Sequence, residues 1–221
     1  MPIDKEATVT WYNAAAPLYS FFRNLTKKLD RDVMPYAIER LSLIPSDTVL
    51  DAGTGPGTYA IEIAKRCGSR VVGVDISPKF ISLAEKNAQA AGVQGVTFVQ
   101  GDLEKLPFDD GSFSKAVCGG ALQAVADRER AARELHRVLA PAGRAVIVEP
   151  HKRRSVNDRL FLILMYLTGL VHRKLRAISL EQLNDHFFDE ESLASLLEGA
   201  GFSEVEIAFR AGAMCAVCEK R

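Results

Sequence analysis

Apolar residues in the middle of this chain fall in short runs bounded by glycine, proline and small polar residues. Between those runs they recur every three or four positions. Val71-Val72-Gly73-Val74 is apolar on both faces, as a central strand of a parallel sheet is, and too short for a helix. The pattern predicts strands over 48–52, 70–74, 96–100, 113–118 and 144–149, separated by helices over 58–66, 79–91 and 128–139. Ser77-Pro78 reads as a helix cap and first helical position, with Gly92 as the stop. Residues 8–45 read as helical, with Val33, Ala37, Ile38, Leu41 and Ile44 at three- and four-residue steps, and Pro45-Ser46-Asp47 ends the pattern.

Leu106–Gly111 reads as a loop and Pro141-Ala142-Gly143 as a turn. The alternation stops over 151–186. A helix over 189–200 with Gly201 as its stop follows, then strands over 203–208 and 212–219. Two strands with no helix between them predict an antiparallel hairpin at a sheet edge. The expected fold class is therefore α/β: a seven-stranded, mostly parallel sheet with helices on both faces and right-handed crossovers.

Composition narrows the function classes. A chain of 221 residues fits one domain with room for an insertion. Lys plus Arg equals Asp plus Glu at 28 each, so global charge makes no case for nucleic acid. The polar start, Met1-Pro2-Ile3-Asp4-Lys5-Glu6, lacks a signal-peptide core, and no apolar run reaches about 18 residues. A cytoplasmic setting is expected. Cys215-Ala-Val-Cys218 has no second pair and no nearby histidine, so it reads as two side chains of a terminal strand, and no metal site is expected.

The candidate chemistry lies where the first strand meets the first helix: Val49-Leu50-Asp51-Ala52-Gly53-Thr54-Gly55-Pro56-Gly57. Glycines there let a ligand approach bare backbone. Asp51, Asp75 and Asp102 fall at or just after the ends of strands one, two and three, the rim on which such sheets bind ligands. A dinucleotide fingerprint would need a third glycine where Thr58 stands, and an acid at the loop mouth would repel a pyrophosphate. A ligand with an ammonium and a sulfonium suits that acid.

These residues resemble the class I S-adenosylmethionine-dependent methyltransferases, whose sheet is Rossmann-like. Val49–Gly57 is similar to their motif I, Leu106–Phe113 to the "LPF-D-SF-D" stretch, and Glu134–Gly143 to the "E..RVLKPGG" helix and turn of the subgroup containing ubiquinone, menaquinone and small-molecule methyltransferases. The resemblance implies a cofactor site of Asp51, Ala52, Gly53, Thr54, Gly55 and Gly57 for the methionine end, and Asp75, Ile76 and Ser77 around the ribose. Gly101, Asp102 and Leu103 then meet the adenine, and Cys118 and Gly119 line the pocket. Tyr12-Asn13-Ala14-Ala15-Ala16-Pro17-Leu18-Tyr19 is similar to the subgroup's "YD..A..YD" opening, in which one tyrosine closes over the cofactor. Asn13 and Ser20 stand where acids are usual, and two half-exposed tyrosines on a helix is the alternative.

The resemblance divides the single domain into a helical lid (1–45), a cofactor-binding core (46–150), a helical cap insertion (151–186), and a closing helix with edge hairpin (187–221). After strand four, where relatives often carry histidine, stands Gln123, which cannot act as a base. Among the histidines, His136 is expected on an exposed helix face, His172 and His186 on the surface of the insertion, and His151 on the active-site rim as the candidate to touch substrate. Methyl transfer from a sulfonium is an in-line displacement that can run on positioning alone.

The insertion carries the clue to the acceptor. Lys152, Arg153, Arg154, Arg159, Arg173, Lys174 and Arg176 face only Asp158, and they flank the apolar stretch 160–171. Twelve helical residues span about 18 Å, too short to cross a bilayer. The stretch reads as a plain cap helix, a cap receiving a small hydrophobic or lipid-like acceptor, or a homodimer face. Its basic flanks also suit peripheral contact of 152–176 with an anionic membrane. A non-catalytic module binding the same cofactor and an NAD-linked oxidoreductase are the other function classes.

Overall fold

The computed structural model describes Lys5, Val9, Thr10, Tyr12, Asn13, residues 33–151, 187–210 and 212–221. Tyr19, His172, His186 and the basic and apolar stretch 152–176 lie outside the described residues.

Seven strands form one sheet in the order β3-β2-β1-β4-β5-β7-β6. They are β1 (Thr48–Ala52), β2 (Arg70–Asp75), β3 (Val96–Gln100), β4 (Phe113–Gly119), β5 (Leu139–Pro150), β6 (Ser203–Arg210) and β7 (Ala213–Glu219). β1 pairs in parallel with β2 and β4, and β7 runs antiparallel to both β5 and β6. The expected edge hairpin is present, with β7 inside the sheet and β6 at its edge.

Both faces of the central strands are covered, which is why they carry no polar alternation. On one face Val49, Val71, Val117 and Val146 pack against α1 (Val33–Arg40) and α2 (Thr58–Cys67). On the other, Leu50, Ala116 and Ile147 pack against α4 (Arg128–Val138) and α5 (Glu190–Gly199). α3 (Pro78–Ala90) starts as the sequence predicts: Pro78 occupies its first turn and the Ser77 hydroxyl accepts from the Phe80 N–H at 3.2 Å. Cys215 and Cys218 are free thiols three residues apart on β7, so they point into opposite cores.

Three expectations need correction. The helix entering β1 ends at Arg40 rather than running to residue 45. Leu41-Ser42 turns the chain, with Ser42 at φ 52°, and Ile44 is 56% exposed instead of lying on the packed face. The turn at Pro141-Ala142-Gly143 lies within β5. Pairing with β4 skips from Phe113↔Leu139 to Lys115↔Arg144, Ala142 sits at φ 60°, and bonds to Lys220 (Ala142 N–H to its carbonyl, its N–H to Gly143 O) stitch the irregularity into the sheet. His136 is half-buried rather than exposed. α4 packs on the α5–β6 connection as well as on the sheet, so the imidazole meets Phe202 edge-on at 5.1 Å. Burial and Lys220 hold its protonation below the usual histidine range.

Candidate active site

The strand order reverses between β1 and β4, and the crevice beyond their carboxyl ends is where a parallel sheet of this kind accepts a ligand. The sequence-predicted residues of the core gather there. β1 ends at Ala52, and the next five residues make a turn in which Gly53, Gly55 and Gly57 all have positive φ. Gly57 has two independent reasons to be glycine: its φ is 83°, and a Cβ there would lie 3.0 Å from the Phe98 ring and 3.1 Å from Ala84. A Cβ on Gly55 would meet nothing within 4 Å, so this part of the turn opens on free space.

Asp51 serves the turn from within. It is 1% exposed, and Oδ2 accepts the Thr54 hydroxyl at 2.6 Å and the Ala60 N–H at 3.0 Å, tying the turn to the first turn of α2. Burial pushes its carboxyl up to about 6, against the pull of those two donors. Asp75 ends β2 and stands nearer the surface. Its Oδ2 accepts the Gly55 N–H and its Oδ1 the Ser77 N–H, each at 2.9 Å. A carboxylate oxygen accepts more than one hydrogen bond, so capacity for two hydroxyls remains.

Asp102 follows β3. Its Oδ1 accepts the Glu104 N–H at 2.9 Å, and its Oδ2 meets Lys5 Nζ at 2.8 Å. Lys5 also pairs with Glu104 at 2.5 Å. Leu103 is buried beside them, 3.7 Å from where a Cβ of Gly53 would stand. The N-terminal segment meets the same rim at a second point: the Ser77 hydroxyl donates to Asn13 Oδ1 at 2.7 Å, and the Tyr12 ring lies 6.1 Å from Phe80. The structure thus brings Tyr12 and Asn13 to the start of α3.

On the other side, β4 delivers Cys118 and Gly119. Cys118 is fully buried, and burial with Glu149 and Asp51 nearby pushes its thiol well up. Gly119 is required because a Cβ would lie 2.6 Å from the Tyr59 ring. The loop that follows includes a short 3-10 turn, Leu122–Ala124, and it reaches back to the glycine turn: a Cβ on Gly53 would stand 2.3 Å from that of Ala121. His151 lies one strand further out and packs its ring against Phe209 of β6 at 5.2 Å.

Sequence reasoning missed Tyr59, Glu104 and Glu149. Glu149 is wholly buried near the end of β5, and its Oε1 accepts the Leu122 N–H at 2.8 Å. The signal was available, since an acid ending a buried strand is the same mark that singled out Asp51 and Asp75. Glu104 is 5% exposed and accepts the Ala126 and Asp127 N–H groups.

A turn with three left-handed glycines, open space at Gly55 and carboxylates at the ends of three adjacent strands fits a ligand that carries hydroxyls and positive charge rather than phosphate. A family model described as a methyltransferase domain matches residues 50–147. A demethylmenaquinone methyltransferase of Thermus thermophilus is 34% identical over 70% of this chain and 74% of that protein. The chain belongs to the class I S-adenosylmethionine-dependent methyltransferases. Its methyl donor is S-adenosylmethionine, which sets aside the NAD-linked reading.

Other members of the family show how far the likeness extends. A demethylmenaquinone methyltransferase of Chlorobaculum tepidum is 33% identical over 72% of this chain, and the match spans 66% of that protein, just under two thirds. A ubiquinone/menaquinone biosynthesis C-methyltransferase of Geotalea daltonii is 29% identical over 88% of this chain and 87% of that protein. The crystal structure of an S-adenosylmethionine-dependent methyltransferase from Aquifex aeolicus superposes with a TM-score of 0.69 over 91% of this chain and 98% of its own, at 17% identity, which establishes the fold. Among the described residues of this methyltransferase, no helix is long and apolar enough to cross a membrane.

Proposed function

We propose that this methyltransferase adds a methyl group to a ring carbon of a quinol that carries an apolar tail. The observation that carries the acceptor class is the identity shared with demethylmenaquinone methyltransferases over most of the chain. The C-methyltransferase of Geotalea daltonii supports carbon as the accepting atom. The apolar stretch 160–171 between basic clusters is what an acceptor with a greasy tail would call for.

In this reading the glycine turn Gly53–Gly57 receives the methionine end of the cofactor. Asp75 holds the ribose hydroxyls on its remaining lone pairs, and Asp102 with Leu103 takes the adenine. Asp51 acts one step back, by fixing the turn. Bound S-adenosylmethionine supplies a methyl group activated by its sulfonium. The chain's own part is to hold donor and acceptor in line and to exclude water, which is where the gain in rate arises. Methylation at carbon replaces a ring C–H by C–CH3 and releases one proton.

The test is a methyl-transfer assay with labelled donor, comparing chemically reduced demethylmenaquinone with its oxidised form and with a panel of soluble amines and phenols. Labelled product from the quinol, and far less from the quinone, is expected. Labelling of a soluble amine or hydroxyl with none in the quinol would overturn the acceptor reading and leave the cofactor assignment standing.

A further inference from the structure

Two buried side-chain oxygens near the β4–β5 rim have no hydrogen-bond partner among the described residues: Oε2 of Glu149 and Oε1 of Gln123. Both are acceptors, unless one carries a proton. They belong to one cluster. The Glu149 carboxyl accepts the Leu122 N–H at 2.8 Å, and the backbone N–H groups of Ala121 and Gln123 also point at it. The Gln123 amide Nε2 donates to Gly120 O at 3.3 Å, leaving its oxygen as the orphan. Glu149 therefore grips the loop whose Ala121 lies against Gly53, the first glycine of the cofactor turn.

A buried acceptor left without a partner is costly, so two in one cluster call for an explanation. A proton on Glu149 Oε2 turns that orphaned acceptor into a donor. We propose that Glu149 is a positioning residue that holds the 120–124 loop against the glycine turn as a neutral acid, and that losing its proton loosens the cofactor's methionine end. This rests on the cofactor assignment above and goes beyond it, since Glu149 acts through the loop and not by touching the ligand.

The surroundings favour the neutral acid. Burial pushes Glu149 up to about 8 in spite of its backbone donors. The groups that face it are Cys118 on β4 and Arg128 at the start of α4, and β7 places neutral Met214 opposite it. The Cys118 thiol is pushed further up, so it stays neutral, and Asp51, which acts on Cys118, titrates lower, at about 6. Arg128 opposes this, since its charge favours the ionised form, and its guanidinium also lies 4.7 Å from the centre of the Phe188 ring and donates to Gln123 O at 3.2 Å.

The test uses the whole chain, with two readouts other than turnover. Calorimetry with S-adenosylhomocysteine from pH 6 to pH 9 is expected to show wild-type affinity falling at least fivefold through pH 8. Glu149→Gln, which keeps an acceptor for Leu122 and cannot ionise, should show no such step. Glu149→Ala should bind at least tenfold more weakly at every pH. In ligand-free protein, the amides of Ala121, Leu122 and Gln123 should exchange faster in wild type than in E149Q at pH 9, and equally at pH 6. The same pH step in E149Q as in wild type, or equal exchange at pH 9, would overturn the proposal. Should E149A fail to fold, the comparison of wild type with E149Q decides alone. A wild-type protein that ignores S-adenosylhomocysteine at every pH would count against the cofactor assignment, and the exchange measurement would still judge Glu149.

Discussion

The two sides of the cofactor crevice are built differently. At the ends of β2 and β3, Asp75 and Asp102 remain at the rim with acceptor capacity to spare, one beside the open space at Gly55 and the other held by Lys5. At the end of β5, Glu149 is wholly buried and spends its carboxyl on the backbone of a loop. Asp51, in the centre, belongs to the second kind: it is buried, and it fixes Thr54 and Ala60. Asp51, Asp75 and Glu149 each take a backbone N–H group and are each pushed up by burial, so what separates the two sides is exposure: Asp75 and Asp102 keep part of the carboxyl at the surface, and Asp51 and Glu149 do not.

This contrast can be broken most sharply at the turn both sides share. Gly53→Ala should cause the largest loss. A side chain at φ 72° costs about 1–2 kcal/mol, and its Cβ would stand 2.3 Å from that of Ala121, so the two sides would be forced apart. Loss of S-adenosylhomocysteine binding by about a hundredfold or more is expected in calorimetry (two kcal/mol being roughly thirtyfold before the collision is counted). Binding at wild-type strength would refute the close approach of the loops.

Asp75→Ala tests the rim side. Loss of charge-assisted hydrogen bonds, each worth about 1.5–3 kcal/mol, should weaken cofactor affinity at least tenfold. An unchanged dissociation constant would remove Asp75 from the ribose.

Asp51→Asn tests the buried side through stability. The folded carboxyl, at about 6, lies above its unfolded value, so the folded protein holds its proton more tightly. Stability from this group is complete below the unfolded pKa and is lost as pH rises through about 6. Urea unfolding should therefore show wild type losing stability between pH 4 and pH 6.5 relative to D51N, which cannot ionise. Parallel curves for the two proteins would mean that Asp51 is not raised.

Lys5→Ala should have the smallest effect. Lys5 is nearly half exposed, and removing its pairs with Asp102 and Glu104 should change unfolding free energy by about 1 kcal/mol. A change of several kcal/mol would mean that the N-terminal segment is part of the folded core.

Much of this was legible beforehand. β1 and β3 fall where the apolar runs placed them, and the Ser77-Pro78 cap opens α3 as read. Ile44 and His136 were misread for a common reason. Periodicity reports which face of a helix is apolar, but where the helix ends and how many neighbours it has are decided by contacts distant in sequence. Pro141-Ala142-Gly143 does bend the chain, yet bonds from Lys220 at the far end of the sequence hold it inside β5.

From its residues alone the chain declared a parallel sheet, a glycine turn and acids at strand ends, because these depend on local backbone freedom and on which faces are apolar. Which acids stay partly exposed at the rim and which lie buried beneath backbone was settled by packing. Asp51, Asp75 and Glu149 look alike in sequence, each closing a strand. Only the fold buries Asp51 and Glu149 beneath backbone, where loss of solvation raises both carboxyls, Glu149 further than Asp51.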